Sequence, residues 1–219
     1  MKLVVATYNV HGCIGSDGRY SRERILNVLK ELQADIIALQ EIDCEDTLLW
    51  LANQMQLTGI AGPVLQHTGS FGNGILTNCT IGDLRLVDLT IPGEVPRGAI
   101  DVDLHCNGEV VQVIATHLGL RPYERRSQVQ ALLKQSCNIY CVLLGDINEW
   151  FLWGRPLRWI RTMFGHSPAL RTFPARSPLF ALDRIWIRPP GTLIHIQAHQ
   201  TSLSVTASDH LPLKAVIEW

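Results

Sequence analysis

Eight polar side chains at the ends of apolar runs dominate the chemistry open to this sequence. Asn9 sits in Tyr8-Asn9-Val10, Glu41 follows Gln40, and His117 lies in Thr116-His117-Leu118-Gly119. Asp146 and Asn148 bracket Ile147, Asp183 stands in Leu182-Asp183-Arg184-Ile185, and Asp209 and His210 follow Ser208. A hard divalent cation such as Mg²⁺ or Mn²⁺ favours carboxylate oxygens and keeps several waters for a phosphate. A carboxylate or an imidazole can accept the proton of an attacking water, and amides and imidazolium can hold phosphoryl oxygens. Together these are the residue types of metal-assisted phosphoester hydrolysis.

Glu41 is the leading metal-ligand candidate, because it abuts the apolar run Ile36-Ile37-Ala38-Leu39; a solvated strand-end glutamate is the structural alternative. Asn9 suits either of two roles, orienting Glu41 or touching the phosphate. Asp146 and Asn148, two residues apart, point the same way if the chain there is extended. An Asx turn is the structural alternative. Asp183 is the expected partner of His210, accepting the imidazole N–H and favouring imidazolium. His117 is a second imidazole at a strand end. His11, His67, His105, His166, His195 and His199 lack metal spacing and read as structural or exposed.

These residues need buried strands behind them. The sequence predicts strands over 2–8, 35–40, 139–144, 183–188, 193–200 and 211–218. Helices are expected over 21–33, 45–56 and 121–136, the first capped by Ser21, with a further helix in 150–165. Between 58 and 117, short β-rich segments alternate with Gly, Pro and Asn turns, as in antiparallel sheet. Gly69, Gly72 and Gly74 around Phe71 and Asn73 read as a hairpin rather than a nucleotide fingerprint. Two strand-rich halves with helices outside imply two sheets packed face to face. No repeat or linker composition appears, so residues 1–219 are expected to form one domain.

The net charge of -1 disfavours DNA binding through a global basic field. The charge is polarised: residues 1–110 carry 14 acids and 7 bases, and residues 111–219 carry 6 acids and 12 bases. An acidic metal end and a cationic surface for a phosphate-bearing partner would follow. The six cysteines show no zinc-finger pairing and read as reduced, buried thiols in a cytoplasmic protein. No apolar run is long enough to span a bilayer.

The ordered set TYNV, LQE, RGA at Arg97–Ala99, THLGL, GDIN, LDRI and SDH resembles the endonuclease/exonuclease/phosphatase superfamily, from Thr7 to Leu213. The resemblance implies a DNase I-like fold, a four-layered α/β sandwich of two mixed sheets flanked by helices, and a divalent metal. By similarity, Glu41 would ligate Mg²⁺ or Mn²⁺ with Asn9 and Asp209 beside it. Asp146 and Asn148 would position or activate the water, Asp183 would pair with His210, and His117 would contact the scissile phosphate. Arg97 falls where related enzymes support the phosphate region, and Asn73 lies in a stretch resembling a strand that lines the cleft. Members differ over the general base, so Asp146 and His210 both remain candidates.

The expected function is a metal-dependent phosphodiesterase acting on nucleic acid or phospholipid. The alternatives are a phosphomonoesterase or a catalytically inactive domain that binds nucleic acid or anionic lipid. The stretch 149–164 places Trp150, Trp153 and Trp159 among Arg155, Arg158 and Arg161. It suits stacked bases and backbone phosphates, a peripheral membrane contact, or an ordinary amphipathic helix. Trp150 and Arg125 join Arg97 and Asn73 as candidate substrate-binding residues, Arg125 as part of a cationic rim. A monomer is the favoured oligomeric state.

Overall fold

The computed structural model describes residues 1–63, 72–134, 138–190 and 192–219. Strand β1 (Lys2–Asn9) sends Leu3 and Val5 into one core and Ala6 and Tyr8 into another, the alternation of a strand buried on both faces. It pairs in parallel with β2 (Ile36–Ile42) and antiparallel with β11 (Leu213–Glu218). With β3 (Thr58–Ala61), β4 (Gly72–Thr77) and β10 (Leu193–Ala198) they form a six-stranded mixed sheet, β10-β11-β1-β2-β4-β3. The second mixed sheet has five strands in chain order: β5 (Thr80–Asp88), β6 (Gly98–Cys106), β7 (Glu109–His117), β8 (Cys141–Asp146) and β9 (Asp183–Arg188). Of its pairings, only β7 with β8 is parallel.

The central core lies between the sheets, with Val5, Ile36, Ala38 and Ile75 meeting Ile100, Val113, Val142 and Ile185. Helices α1 (Arg22–Leu32) and α2 (Glu45–Met55) cover the outer face of the first sheet through Ile25, Leu29, Leu48 and Leu51. Helices α3 (Pro122–Leu132) and α4 (Arg155–Phe164) cover the second through Val129, Leu157, Ile160 and Phe164. Ser21 caps α1, its side chain accepting from Arg24 N at 3.2 Å. The result is a four-layered DNase I-like α/β sandwich.

The pairings within 58–117 are antiparallel, as expected, with β3–β4 in the first sheet and β5–β6–β7 in the second. Three points need correction. The helix expected over 150–165 starts at Arg155, where Gly154 and Pro156 favour initiation, leaving 149–154 as a loop. A further helix, α5 (Ser202–Ala207), was not expected; its six residues are too few to show a period. The cysteines are not all reduced, for Cys79 and Cys106 form a disulfide. Thr80 pairs with His105, so the two cysteines continue the β5–β6 ladder at a Cα separation of 5.0 Å, a closeness that a sequence separation of 27 conceals. Cys13 and Cys141 are buried thiols. The hairpin expected around Gly69 and Phe71, and Cys137, lie outside the described residues. No helix is long and apolar enough to cross a membrane among the described residues.

Candidate active site

The parallel strands β1, β2, β7 and β8 deliver Asn9, Glu41, His117 and Asp146 from their C-terminal ends, and β9 begins with Asp183. Register fixes the juxtaposition: His117 and Asp183 both pair with Asp146 across the second sheet. The segment 208–210 is tied to β1 by Ser208 Oγ, which donates to the Asn9 carbonyl at 2.8 Å. Glycine makes this crowding possible. Gly145 has φ +145°, and a Cβ there would meet the Thr116 carbonyl oxygen at 1.9 Å. Three site residues, His11 (φ 49°), Glu41 (φ 57°) and Asn148 (φ 52°), adopt the left-handed region. At Glu41 a register irregularity between β2 and β4 re-aims the chain.

Asp146 Oδ2 is the focus. It accepts from Asn9 Nδ2 at 3.0 Å and lies 3.6 Å from His117 Nε2 and 3.8 Å from His210 Nε2. Its other oxygen accepts from Asn148 N at 2.9 Å. Burial pushes the Asp146 carboxyl up to about 6, against the pull of the His210 cation. His210 Nδ1 donates to Asp183 Oδ2 at 2.8 Å, and Thr172 Oγ1 donates to the same oxygen at 2.6 Å. Burial alone would depress the His210 imidazole, but Asp183 and then Asp146 and Asp209 raise it to about 10. His210 is therefore an imidazolium, covered on one side by Phe173 at a centroid distance of 4.8 Å.

His117 is the opposite case. Burial, reinforced by Arg97, drives it down to about 3, so the ring is neutral. Both its nitrogens face donors: Arg97 Nη1 is 2.9 Å from Nδ1, and Asn148 Nδ2 is 3.0 Å from Nε2. A neutral imidazole accepts at one nitrogen only. Guanidinium cannot yield its protons, so Nδ1 accepts and Nε2 carries the hydrogen, while the Asn148 amide donates to Leu118 O at 2.9 Å. Asp183 Oδ1 and Arg97 Nε are buried with no hydrogen-bond partner among the described residues.

Glu41 is the more open acid, its side chain one-quarter exposed. Burial would raise its pKa, but His11, His117 and the Asn9 amide outweigh it and hold the carboxyl down at about 2. His11 Nδ1 lies between Glu41 Oε2 (3.5 Å) and Asp209 Oδ1 (3.6 Å). The donor set fits a hard cation at this end: partly exposed carboxylate oxygens of Glu41 and Asp209. Donors of Asp146, Asp183 and His210 cluster more tightly, within 4.8 Å. They are buried, and Asp183 Oδ2 and His210 Nδ1 are already spent on each other, so that cluster is the poorer cation site.

Several expected roles change. Asn9 presents its amide nitrogen to Glu41 (3.2 Å) and Asp146, and its oxygen accepts from His11 N at 3.0 Å, so both ends of the amide are engaged within the cluster. Asn148 does not project beside Asp146 from extended chain; its left-handed backbone closes the Asx turn. Arg125 is no rim cation. It is 2% exposed, pairs with Glu149 at 3.2 Å and donates to the Gly119 and Leu120 carbonyls, bracing the loops behind the site. Asn73 donates its amide to Gly98 O at 2.9 Å. Trp150 packs edge-on against Phe180 (4.7 Å) and Phe173 (5.9 Å), the ring that covers His210. His11 is the residue sequence reasoning missed, and its nearness to Asn9 was the available signal; the Thr172 hydroxyl reaches Asp183 from a segment the sequence places only on the approach to it.

Two mixed sheets between helical layers, with polar groups gathered at their strand ends, define a DNase I-like α/β sandwich. The chain belongs to the Endonuclease/Exonuclease/phosphatase family, whose profile matches residues 6–210. Members are in general hydrolases of phosphoester bonds that use divalent metals. The chain is similar to the uncharacterized protein YbhP of Escherichia coli (strain K12), at 27% identity over 97% of this chain and 95% of that one. Among solved structures it resembles a functionally unknown conserved protein of Enterococcus faecalis V583, with TM-score 0.82 and 19% identity over 100% of both chains. It also resembles the human Nocturnin catalytic domain with bound sulfate anion, with TM-score 0.78 and 21% identity over 99% of this chain and 94% of that one.

Proposed function

We infer that this chain is a divalent-metal-dependent phosphodiesterase, acting as a single catalytic domain over residues 1–219. The observation that carries the reading is the convergence of Asn9, His117 and His210 on Asp146 Oδ2, with Glu41 and Asp209 open beside it. A cation held by Glu41 and Asp209, Mg²⁺ or Mn²⁺ by the hardness of the donors, would stabilise negative charge on the phosphoryl and leaving oxygens.

The chain's own groups supply the rest. Asp146, near 6, is ionised at neutral pH and takes a proton from the attacking water. His210 is protonated and gives charge and a hydrogen bond to a non-bridging oxygen. The two candidates for general base are thereby ordered, Asp146 before His210. His117 donates Nε2–H without charge, and Arg97 holds its tautomer. Among the described residues of the cleft, the His210 imidazolium and the Arg97 guanidinium stand among several acids, which suits a diester monoanion better than a monoester dianion.

The test is turnover of bis-p-nitrophenyl phosphate against p-nitrophenyl phosphate, with EDTA and then with Mg²⁺ or Mn²⁺ restored. Metal-dependent diester hydrolysis is expected. Saturable binding of the diester without turnover would replace the enzyme with a binding domain, and preference for the monoester would replace diester with monoester chemistry.

A further inference from the structure

The loop 149–154 after the GDIN motif is built to present apolar side chains to solvent. Gly154 N–H closes a turn onto the Phe151 carbonyl at 2.9 Å, so Leu152 and Trp153 form its tip. Turn tips ordinarily carry Gly, Asn, Asp or Ser. Here Phe151 and Leu152 are more than half exposed and Trp153 is 74% exposed. The exposure is not looseness. Phe151 N–H donates to Glu149 Oε1 at 3.3 Å, Glu149 is anchored by buried Arg125, and Trp150 packs edge-on against Phe173 and Phe180.

Beside the tip runs a groove of roughly 370 Å³ whose lining includes Arg126, Arg155 and Arg158. All three arginines are exposed, and the acid lining the groove, Glu149, is buried and neutralised by Arg125. Helix α4 buries Leu157, Ile160 and Phe164 against the second sheet and leaves Arg155, Arg158 and Arg161 outward at three-residue spacing. The free apolar surface is therefore the loop, not the helix, and cations flank it.

We propose that this face docks on an anionic phospholipid surface, with Phe151, Leu152 and Trp153 entering the interface and Arg126, Arg155 and Arg158 meeting the headgroup phosphates. Three adjacent apolar side chains with indole and phenyl rings at the tip fit the interfacial zone of a bilayer. The charge around them complements anionic lipid. Stacked nucleobases are the poorer fit: Leu152 offers no ring, and Phe151 and Trp153 lie against each other at 5.3 Å and 35°, which leaves no row of separate platforms. The docking face is independent of the chemistry in the cleft.

The experiment is co-sedimentation of the full chain with phosphatidylcholine vesicles, with and without phosphatidylglycerol, together with tryptophan emission. Wild type should bind the anionic vesicles and shift its emission to the blue. Phe151→Ser with Trp153→Ser should weaken binding by at least about tenfold. Arg155→Gln and Arg158→Gln should each weaken it about five-fold, with the loss confined to anionic vesicles. Circular dichroism and turnover of a soluble diester should be unchanged in these surface variants. Wild type that stays in the supernatant, or tip variants that bind as wild type does, would overturn the proposal. Binding of a single-stranded oligonucleotide that is lost in the tip variants, in place of vesicle binding, would overturn it in favour of nucleic acid.

Discussion

Glu41 and Asp146 occupy one cleft yet sit at opposite ends of the carboxylate range. Glu41 is one-quarter exposed, sits beside imidazoles and an amide, and is held near 2; Asp146 is buried and pushed to about 6. The difference comes from placement. β2 ends in an irregularity that turns Glu41 toward solvent, whereas the β7–β8–β9 register encloses Asp146 between His117 and Asp183. The first is suited to hold a cation at any neutral pH, and the second to exchange a proton near neutrality. The same contrast divides the imidazoles, His117 kept neutral by burial and Arg97, His210 kept charged by Asp183.

The largest effect should come from abolishing the metal end. Glu41→Gln keeps shape and removes charge, and kcat for bis-p-nitrophenyl phosphate should fall on the order of 10³-fold with little change in Tm. Full activity with metal present would end the assignment. Asp146→Asn should cost a similar factor, because the proton acceptor is gone while its hydrogen-bonding shape remains. If only one of the two residues matters, the division of labour across the cleft is wrong.

The proton-handling end should reveal itself in pH. Activity needs Asp146 ionised, so kcat rises as pH climbs through about 6. It needs His210 protonated; a raised histidine is fully charged below its ordinary value of about 6.5 and loses its proton as pH rises through about 10. A broad bell follows. Asp183→Asn removes the charge that raises His210, so the falling limb should move toward neutrality and peak kcat should drop roughly a hundredfold. A falling limb that stays in place would show that Asp183 does not set the His210 charge.

Behind the site the contrast is between stability and function. Arg125 and Glu149 are 2% and 5% exposed, so Arg125→Ala strands a buried carboxylate. It should lower stability by about 3–5 kcal/mol, measured by urea unfolding, while KM for the small diester changes little in the folded fraction. A KM effect without a stability loss would restore Arg125 to the substrate rim.

This residue also marks where sequence reasoning stops. The buried strands were readable because each is a short apolar run ending in a polar group, and Asp183 with His210 was readable because a strand-end acid and imidazole have few other uses. Arg125 looked like its exposed neighbour Arg126, and only folding decides which of two adjacent arginines turns inward on α3. Thr172, whose hydroxyl helps hold Asp183, and the Cys79–Cys106 bond depend on pairings between distant segments that no local period encodes. The left-handed turn at Asn148 was weighed as an Asx closure, but the sequence alone could not choose it over extended chain.

His11 gives the smallest expected effect and the finest test of the Glu41 end. It stands between Glu41 and Asp209, but at 3.5 and 3.6 Å it is beyond good hydrogen-bond reach of either, and its side chain is 45% exposed. Glu41 draws its pKa upward, against the effect of partial burial. The contact helps lower the Glu41 carboxyl, but between partly exposed groups it is screened by solvent and should add little to cation affinity. His11→Gln should therefore shift the Mg²⁺ concentration for half-maximal activity by less than about five-fold and leave the pH limbs assigned to Asp146 and His210 in place. If half-saturation instead moves by tenfold or more, His11 belongs among the cation's ligands. The metal end would then be a mixed nitrogen–oxygen site, and calorimetric titration with Mn²⁺ in place of Mg²⁺ should show the greater loss, since imidazole favours the softer ion.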